Sequence, residues 1–116
     1  PSSAEAASEE IRPLFEARAV DFPMPDLARV GGITPYVKVA HLAEAFGLPL
    51  ACHLQPEISV QVLAAVPNGV LAEYVAWPGK VLRGCPTLDS GDLVLSEREG
   101  HGMEVDWDFV KEHRIG

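Results

Sequence analysis

The stretch from Val20 to Glu73, VDFPMPDLARVGGITPYVKVAHLAEAFGLPLACHLQPEISVQVLAAVPNGVLAE, decides the fold. Val20-Asp21-Phe22-Pro23-Met24 reads as a short strand ended by Pro25-Asp26. Gly31-Gly32 is a turn. Thr34 is a good N-cap and Pro35 suits the first helical position, so a helix is expected over Pro35 to Phe46. Val39, Leu42, Ala43 and Phe46 fall on one side of it. Gly47 supplies a left-handed C-terminal cap. Leu48 to Cys52 is a second apolar strand, ending at His53. A second helix is expected from about Pro56 to Val66, stopped by Pro67-Asn68-Gly69. Val70-Leu71-Ala72 is a third strand, ending at Glu73. Strands alternating with helices at this spacing imply parallel βαβ units.

Three polar residues, Asp26, His53 and Glu73, follow immediately after the three expected strands. In parallel α/β folds the C-terminal strand ends point at the active site, most clearly in (β/α)8 barrels. The three side chains are therefore expected to converge. An Asp beside a His can hold the imidazole in one tautomer and raise its basicity, which makes it a competent proton acceptor. A Glu one strand further can hydrogen-bond a substrate oxygen, particularly if burial keeps it protonated. Taken singly, each residue also has a plain structural reading: a turn residue for Asp26, a packed imidazole for His53.

Outward from this stretch the signals are shorter. Residues 1–7 are small and polar and read as a frayed lead-in. Ser8-Glu9-Glu10 opens a helical pattern with Ile11, Leu14 and Phe15 on one face. After Tyr74 the pattern changes. Trp77-Pro78-Gly79 and Gly84-Cys85-Pro86 are loop signals. Thr87-Leu88-Asp89 and Leu93-Val94-Leu95 flank Ser90-Gly91-Asp92 as a hairpin. Met103-Glu104-Val105 reads as one more extended piece, and Trp107 to His113 as a short terminal helix. This divides the chain into residues 1–80, carrying the βα units, and a C-terminal segment over 81–116.

The 116 residues suffice for one domain, and an apolar fraction of 47% can bury a core. A formal charge of -8 argues against a nucleic-acid partner, since phosphate binding needs clustered Lys and Arg. No apolar run approaches the ~18 residues of a membrane span, and no signal peptide is visible. Cys52 sits in an apolar run and reads as a buried thiol. With Cys85 it forms neither a disulfide framework nor a zinc pattern, which suits a reducing, cytoplasmic setting. The chain opens at Pro1 without Met, read as upstream sequence missing or removed.

Longer motifs add a resemblance. Met24-Pro25-Asp26-Leu27-Ala28-Arg29-Val30-Gly31-Gly32-Ile33-Thr34 is similar to the sixth-strand segment of the mandelate racemase and acid-sugar dehydratase subgroup of the enolase superfamily. Cys52-His53-Leu54-Gln55-Pro56-Glu57-Ile58, with Leu63-Ala64-Ala65-Val66-Pro67-Asn68, looks like the seventh-strand segment. Glu73-Tyr74 looks like the eighth. The tail from Gly91-Asp92-Leu93 through Gly100-His101-Gly102-Met103 resembles the segment that packs with the N-terminal capping domain. The resemblance runs from about Phe15 onward. It implies an α/β fold: the C-terminal three βα units of a TIM-type (β/α)7β barrel plus a short C-terminal β-hairpin segment. It further implies that Asp26 and His53 form a dyad, that Glu73 is an electrophilic catalyst, and that the intact enzyme uses magnesium.

The resemblance also leaves gaps. The family's three magnesium carboxylates lie on the third, fourth and fifth strands. Here Glu5 is the only metal-ligand candidate, displaced by about two residues from the usual spacing. The catalytic lysine motif and the capping domain have no counterpart. The implied activity of the intact enzyme is abstraction of a proton next to a carboxylate. His53 would be base or acid, Asp26 its orienting partner and Glu73 a donor to the carboxylate. The substrate would be an acid sugar, dehydrated in the galactarate/talarate manner suggested by Val30-Gly31-Gly32-Ile33-Thr34-Pro35, or a 2-hydroxy acid that is racemised. A third possibility is a truncated, non-catalytic protein acting as an oligomer or binding module. Substrate contacts fall to His53, Glu73 and Glu57, although Glu57 equally reads as a first-turn acid complementing the helix dipole. Arg29 could face the pocket or form a loop ion pair. His41, His101 and His113 read as surface or loop residues, and Trp77 and Trp107 as packing anchors. Three βα units leave open sheet edges and an apolar inner face near Val20, Phe22, Leu50 and Val70, so either a homo-oligomer or a piece still docked to the rest of its enzyme is expected.

Overall fold

The computed structural model describes residues 3–75 and 79–116, those at 3–6 by backbone alone. The chain divides into two compact units, Pro1–Val75 and Ala76–Gly116.

Helix α1 (Ser3–Glu16) begins five residues before the expected Ser8. The small residues of the lead-in include alanines, the strongest helix formers, and they extend the helix instead of fraying. Of its expected apolar face, Phe15 is buried and Ile11 partly so, but Leu14 is 47% exposed. Helix α2 (Ile33–Ala45) starts earlier than expected too, with Gly32 rather than Thr34 as its N-cap. Gly32 turns the chain at φ 110°, a conformation open to glycine, so the helix starts directly after the turn. Pro35 is then inside the first turn, where backbone N–H groups have no intrahelical partner to lose. At the other end Gly47 takes φ 71°. Its N–H donates to the Glu44 carbonyl at 2.8 Å and that of Leu48 to Ala43 at 2.9 Å, a complete Schellman closure. Tyr36, Val39, Ala40 and Ala43 are fully buried. Phe46, expected on that buried side, sits at its margin, 39% exposed with its ring 5.8 Å from that of Phe15.

Strand β1 (Leu50–Cys52) and strand β2 (Gly69–Ala72) pair in parallel, with Ala51 opposite Leu71 and Cys52 opposite Ala72. Helix α3 (Pro56–Ala64) connects them, Pro56 at its start. Segment 23–26 lies along β1 on the side away from β2. The Ala51 N–H donates to the Pro23 carbonyl at 3.0 Å and the His53 N–H to Pro25 at 3.4 Å, with one bridge between Asp26 and His53. The strand expected over Val20–Met24 is thus corrected to an extended segment without a regular ladder. A parallel ladder needs bonds in both directions, and Pro25 has no N–H to return to Ala51. The Ala51 carbonyl instead accepts from the Tyr36 hydroxyl at 3.4 Å. Burial of Tyr36 pushes its phenol well above the ordinary range.

Between this sheet and the helices lies the core of Phe15, Leu27, Tyr36, Leu50, Cys52, Val62 and Leu63. Full burial of side chains this size contributes roughly 1.5–3 kcal/mol each. Leu50, expected on an open inner face, is fully buried here, and Val20 packs partly against the same core. Alternation along the strands puts Phe22 and Met24 on the face of Asp26, and Leu71 on that of Glu73. These three are 57%, 46% and 61% exposed, so the open inner face is theirs. Val70, beside the register irregularity at β2, is 52% exposed.

In the second unit β3 (Leu82–Arg83) pairs antiparallel with β6 (Glu104–Val105), and β4 (Thr87–Asp89) with β5 (Asp92–Val94). Ser90 and Gly91 take φ 51° and 93°, the two positive values of a type I′ hairpin turn. Helix α4 (Trp107–Glu112) is capped by Asp106, whose Oδ1 accepts from the Phe109 N–H at 3.1 Å. Asp106 Oδ2 also receives Arg83 Nε at 2.8 Å and a terminal guanidinium nitrogen at 2.7 Å. The Phe109 N–H, then Arg83, hold the Asp106 carboxyl below the usual carboxylate range. Trp107, expected as a packing anchor, is 65% exposed. Trp77 lies outside the described residues.

Candidate active site

Asp26, His53 and Glu73 stand at the C-terminal ends of three adjacent parallel segments, because each follows directly on the residues that pair. The backbone fixes their spacing. The Glu73 N–H donates to the Cys52 carbonyl at 3.1 Å, tying the start of Glu73 to the residue before His53. The side chains meet as well: His53 Nδ1 is 2.8 Å from Glu73 Oε2. Both remain partly open, with 40% and 36% of their side chains exposed.

The same Glu73 oxygen accepts the Leu54 N–H at 2.9 Å. That bond depends on an uncommon turn. Leu54 and Gln55 take φ 53° and 47°, two consecutive non-glycine residues in the left-handed region. Each costs roughly 1–2 kcal/mol, so the surrounding structure has to hold them. Ser59, fully buried in α3, does so: its hydroxyl donates to the Leu54 carbonyl at 3.1 Å. Sequence reading missed Leu54, Gln55 and Ser59. No glycine marks the turn, and a serine inside an apolar helix carries no signal of its partner.

The Asp26 carboxylate is used differently from the expected dyad. Its Oδ1 accepts the N–H groups of Ala28 at 2.8 Å and Arg29 at 3.0 Å, closing the loop that leads to Gly32. In this structure the side chain nearest His53 is that of Glu73, and Asp26 meets His53 through the backbone bridge. The physical reason is local: after Pro25 the loop folds back, and its unpaired amides capture the nearest carboxylate.

Glu57 lies in the first turn of α3 and is buried, and its carbonyl accepts from Gln61 Nε2 at 3.1 Å. Arg29 and His41 are exposed. His101 Nδ1 accepts the Met103 N–H at 3.1 Å, and the His113 ring stacks on Phe109 with centroids 4.0 Å apart. Burial pushes the Cys52 thiol up, as expected of a packed rather than reactive cysteine. The Glu5 side chain, the metal-ligand candidate, lies outside the described residues. Among the described residues no three His, Cys, Asp or Glu side chains form a metal site.

At the opposite end of the strands the structure is built for stability. Asn68 Nδ2 donates to the carbonyls of Ala40 at 3.0 Å and Leu48 at 3.1 Å. A Cβ on Gly69 would fall onto the Leu63 carbonyl oxygen.

A family model described as enolase C-terminal domain-like matches residues 4–109. The chain belongs to this family. D-xylonate dehydratase of Haloferax volcanii is 34% identical to it over 113 residues, which cover 90% of this chain and 27% of that protein. L-talarate dehydratase from Polaromonas sp. JS666, solved with Mg and L-glucarate, superposes with a TM-score of 0.79 at 36% identity, covering 85% of this chain and 26% of that one. An enolase from Bradyrhizobium, solved with magnesium and mandelic acid, gives 0.82 at 30% identity, covering 93% and 30%. The chain thus spans between a quarter and a third of these relatives. Its three parallel segments with their helices are the C-terminal part of an enolase-type barrel.

Proposed function

We propose that this chain supplies the C-terminal barrel wall of an acid-sugar dehydratase of the galactarate/talarate kind. His53 takes or returns the proton on the carbon next to the substrate carboxylate. The observation that carries the reading is the 2.8 Å contact between His53 and Glu73 on adjacent parallel strand ends, with Asp26 on the next. An imidazole held by a carboxylate at such a place is suited to acid–base work near neutral pH. Substrate contacts are assigned to His53, Glu73 and Glu57. The relatives solved with magnesium support a magnesium-dependent enzyme. The described residues alone do not fit the ion, so Glu5 and residues beyond them are the ligand candidates.

Racemisation of a 2-hydroxy acid is the second reading, favoured by the relative solved with mandelic acid. A cytoplasmic homo-oligomer is proposed as the working state. Cys52 and Cys85 form no disulfide, no helix among the described residues is long and apolar enough to cross a membrane, and Phe22, Met24 and Leu71 leave apolar surface to cover. A substrate screen of the full-length protein against aldarates, aldonates and 2-hydroxy acids is the test. Dehydration to a keto acid is expected for an acid sugar. Stereochemical inversion without a keto product selects the racemase, and inertness toward the whole panel rejects both.

A further inference from the structure

The turn that follows His53 is strained, and a single residue in the core holds both halves of it. We propose that Ser59 is a positioning residue for the proton transfer assigned to His53, acting through the Leu54-Gln55 turn to fix where the imidazole stands. This rests on the acid–base reading of His53 above.

Three observations carry it. Leu54 and Gln55 take φ 53° and 47°, a region that side chains disfavour. Such backbone outliers persist only where the surrounding structure over-determines them, and they gather at functional sites. Ser59 supplies the restraint twice: its hydroxyl donates to the Leu54 carbonyl at 3.1 Å and its N–H to the Gln55 carbonyl at 2.9 Å. Ser59 is fully buried, and α3 joins the core through Val62 and Leu63, so the turn is tied to the core. Alanine is the better helix former, so the stability of α3 alone does not call for a serine here. On the other side His53 is tied to the sheet, its N–H donating to the Pro25 carbonyl at 3.4 Å. The imidazole is therefore carried on one residue between two held points. Acid–base catalysis depends on such placement, because the group has to lie within hydrogen-bond reach of the proton it moves.

The test uses the full-length protein with magnesium and the acid it turns over best, read as deuterium uptake from D₂O at saturating substrate. Ser59→Ala is expected to slow uptake about 2- to 12-fold, the worth of one such hydrogen bond, with KM little changed. Adding Gln55→Gly to Ser59→Ala is expected to recover much of that loss, because glycine takes the left-handed conformation without strain and the turn then needs less holding. A serine that only stabilises the fold would show neither the loss in a folded enzyme nor the recovery. Wild-type uptake in Ser59→Ala, or no recovery in the double variant, would overturn the proposal. Crystal structures of full-length wild type and Ser59→Ala give a readout independent of activity. A His53 ring displaced or loosened in the variant supports the inference, and an unmoved ring rejects it. A wild-type structure in which the Ser59 hydroxyl does not reach the Leu54 carbonyl rejects it even if Ser59→Ala fails to fold. If the wild type exchanges no acid at all, the assigned activity is rejected and the structures alone decide this inference.

Discussion

Removing the Ser59 hydroxyl is the cleanest way to ask whether the strained turn beside His53 is held from the core. Ser59→Ala deletes one donor and little volume. The Leu54 carbonyl loses the 3.1 Å bond to that hydroxyl, a part-buried bond from a serine that is itself fully buried. Losing a part-buried neutral hydrogen bond of this kind costs about 0.5–1.5 kcal/mol. Leu54 and Gln55, both left-handed, would then be free to relax toward ordinary backbone angles, which withdraws the Leu54 N–H from Glu73. At 1.4 kcal/mol per tenfold, that cost corresponds to roughly 2- to 12-fold faster exchange of the Leu54 amide. Equilibrium urea denaturation reads the stability, and hydrogen exchange reads the turn. If Ser59→Ala matches the wild type in both, the turn is not held by Ser59, and the argument that the core positions the site fails.

Other outcomes follow from the same structure. Gly69→Ala should destabilise the β1–β2 pair, because the added methyl lands on backbone at Leu63 that must shift; a melting temperature equal to wild type would contradict this. Asp106 is a carboxylate whose folded pKa lies below its ordinary value, so its contribution is complete above the ordinary range near ~3.9 and is lost as pH falls through the lower folded value. The Phe109 amide resonance should therefore move in acid with α4 loosening, and Asp106→Ala should abolish that step. The chain studied by itself should self-associate through Phe22, Met24 and Leu71 and the open sheet edges. A compact monomer in sedimentation at micromolar concentration would mean that the face is covered in another way.

Much of the barrel portion is legible in the sequence because it obeys local rules. Apolar runs gave β1 and β2, Gly47 ended α2 and Pro56 opened α3 where those residue types favour it. The Ser90-Gly91 turn was readable from its flanking strands. The misses have non-local causes. Pro25 spoils a ladder only because Ala51 is its neighbour, a pairing that residues 20–26 do not reveal. Thr34 looks like a better N-cap than Gly32, yet the positive φ of Gly32 sets where the helix can begin. Leu50 leaves the open inner face first assigned to it, while Phe22 keeps it, since a three-residue strand shows too little alternation to orient it. At the site, the residue types Asp26, His53 and Glu73 could be picked out by position after strands. Which carboxylate reaches the imidazole could not, because it depends on a left-handed turn at Leu54 and Gln55 and on amides that claim Asp26 first.

The central claim is that His53 moves the proton next to a carboxylate. Its most direct test is deuterium incorporation from D₂O at that carbon, followed by NMR with the full-length protein, magnesium and the best acid of the panel. The wild type should incorporate deuterium into substrate or product, and His53→Asn should slow this by about 10²–10⁴-fold, the usual worth of a positioned acid–base group. Incorporation at the wild-type rate in His53→Asn would contradict the account.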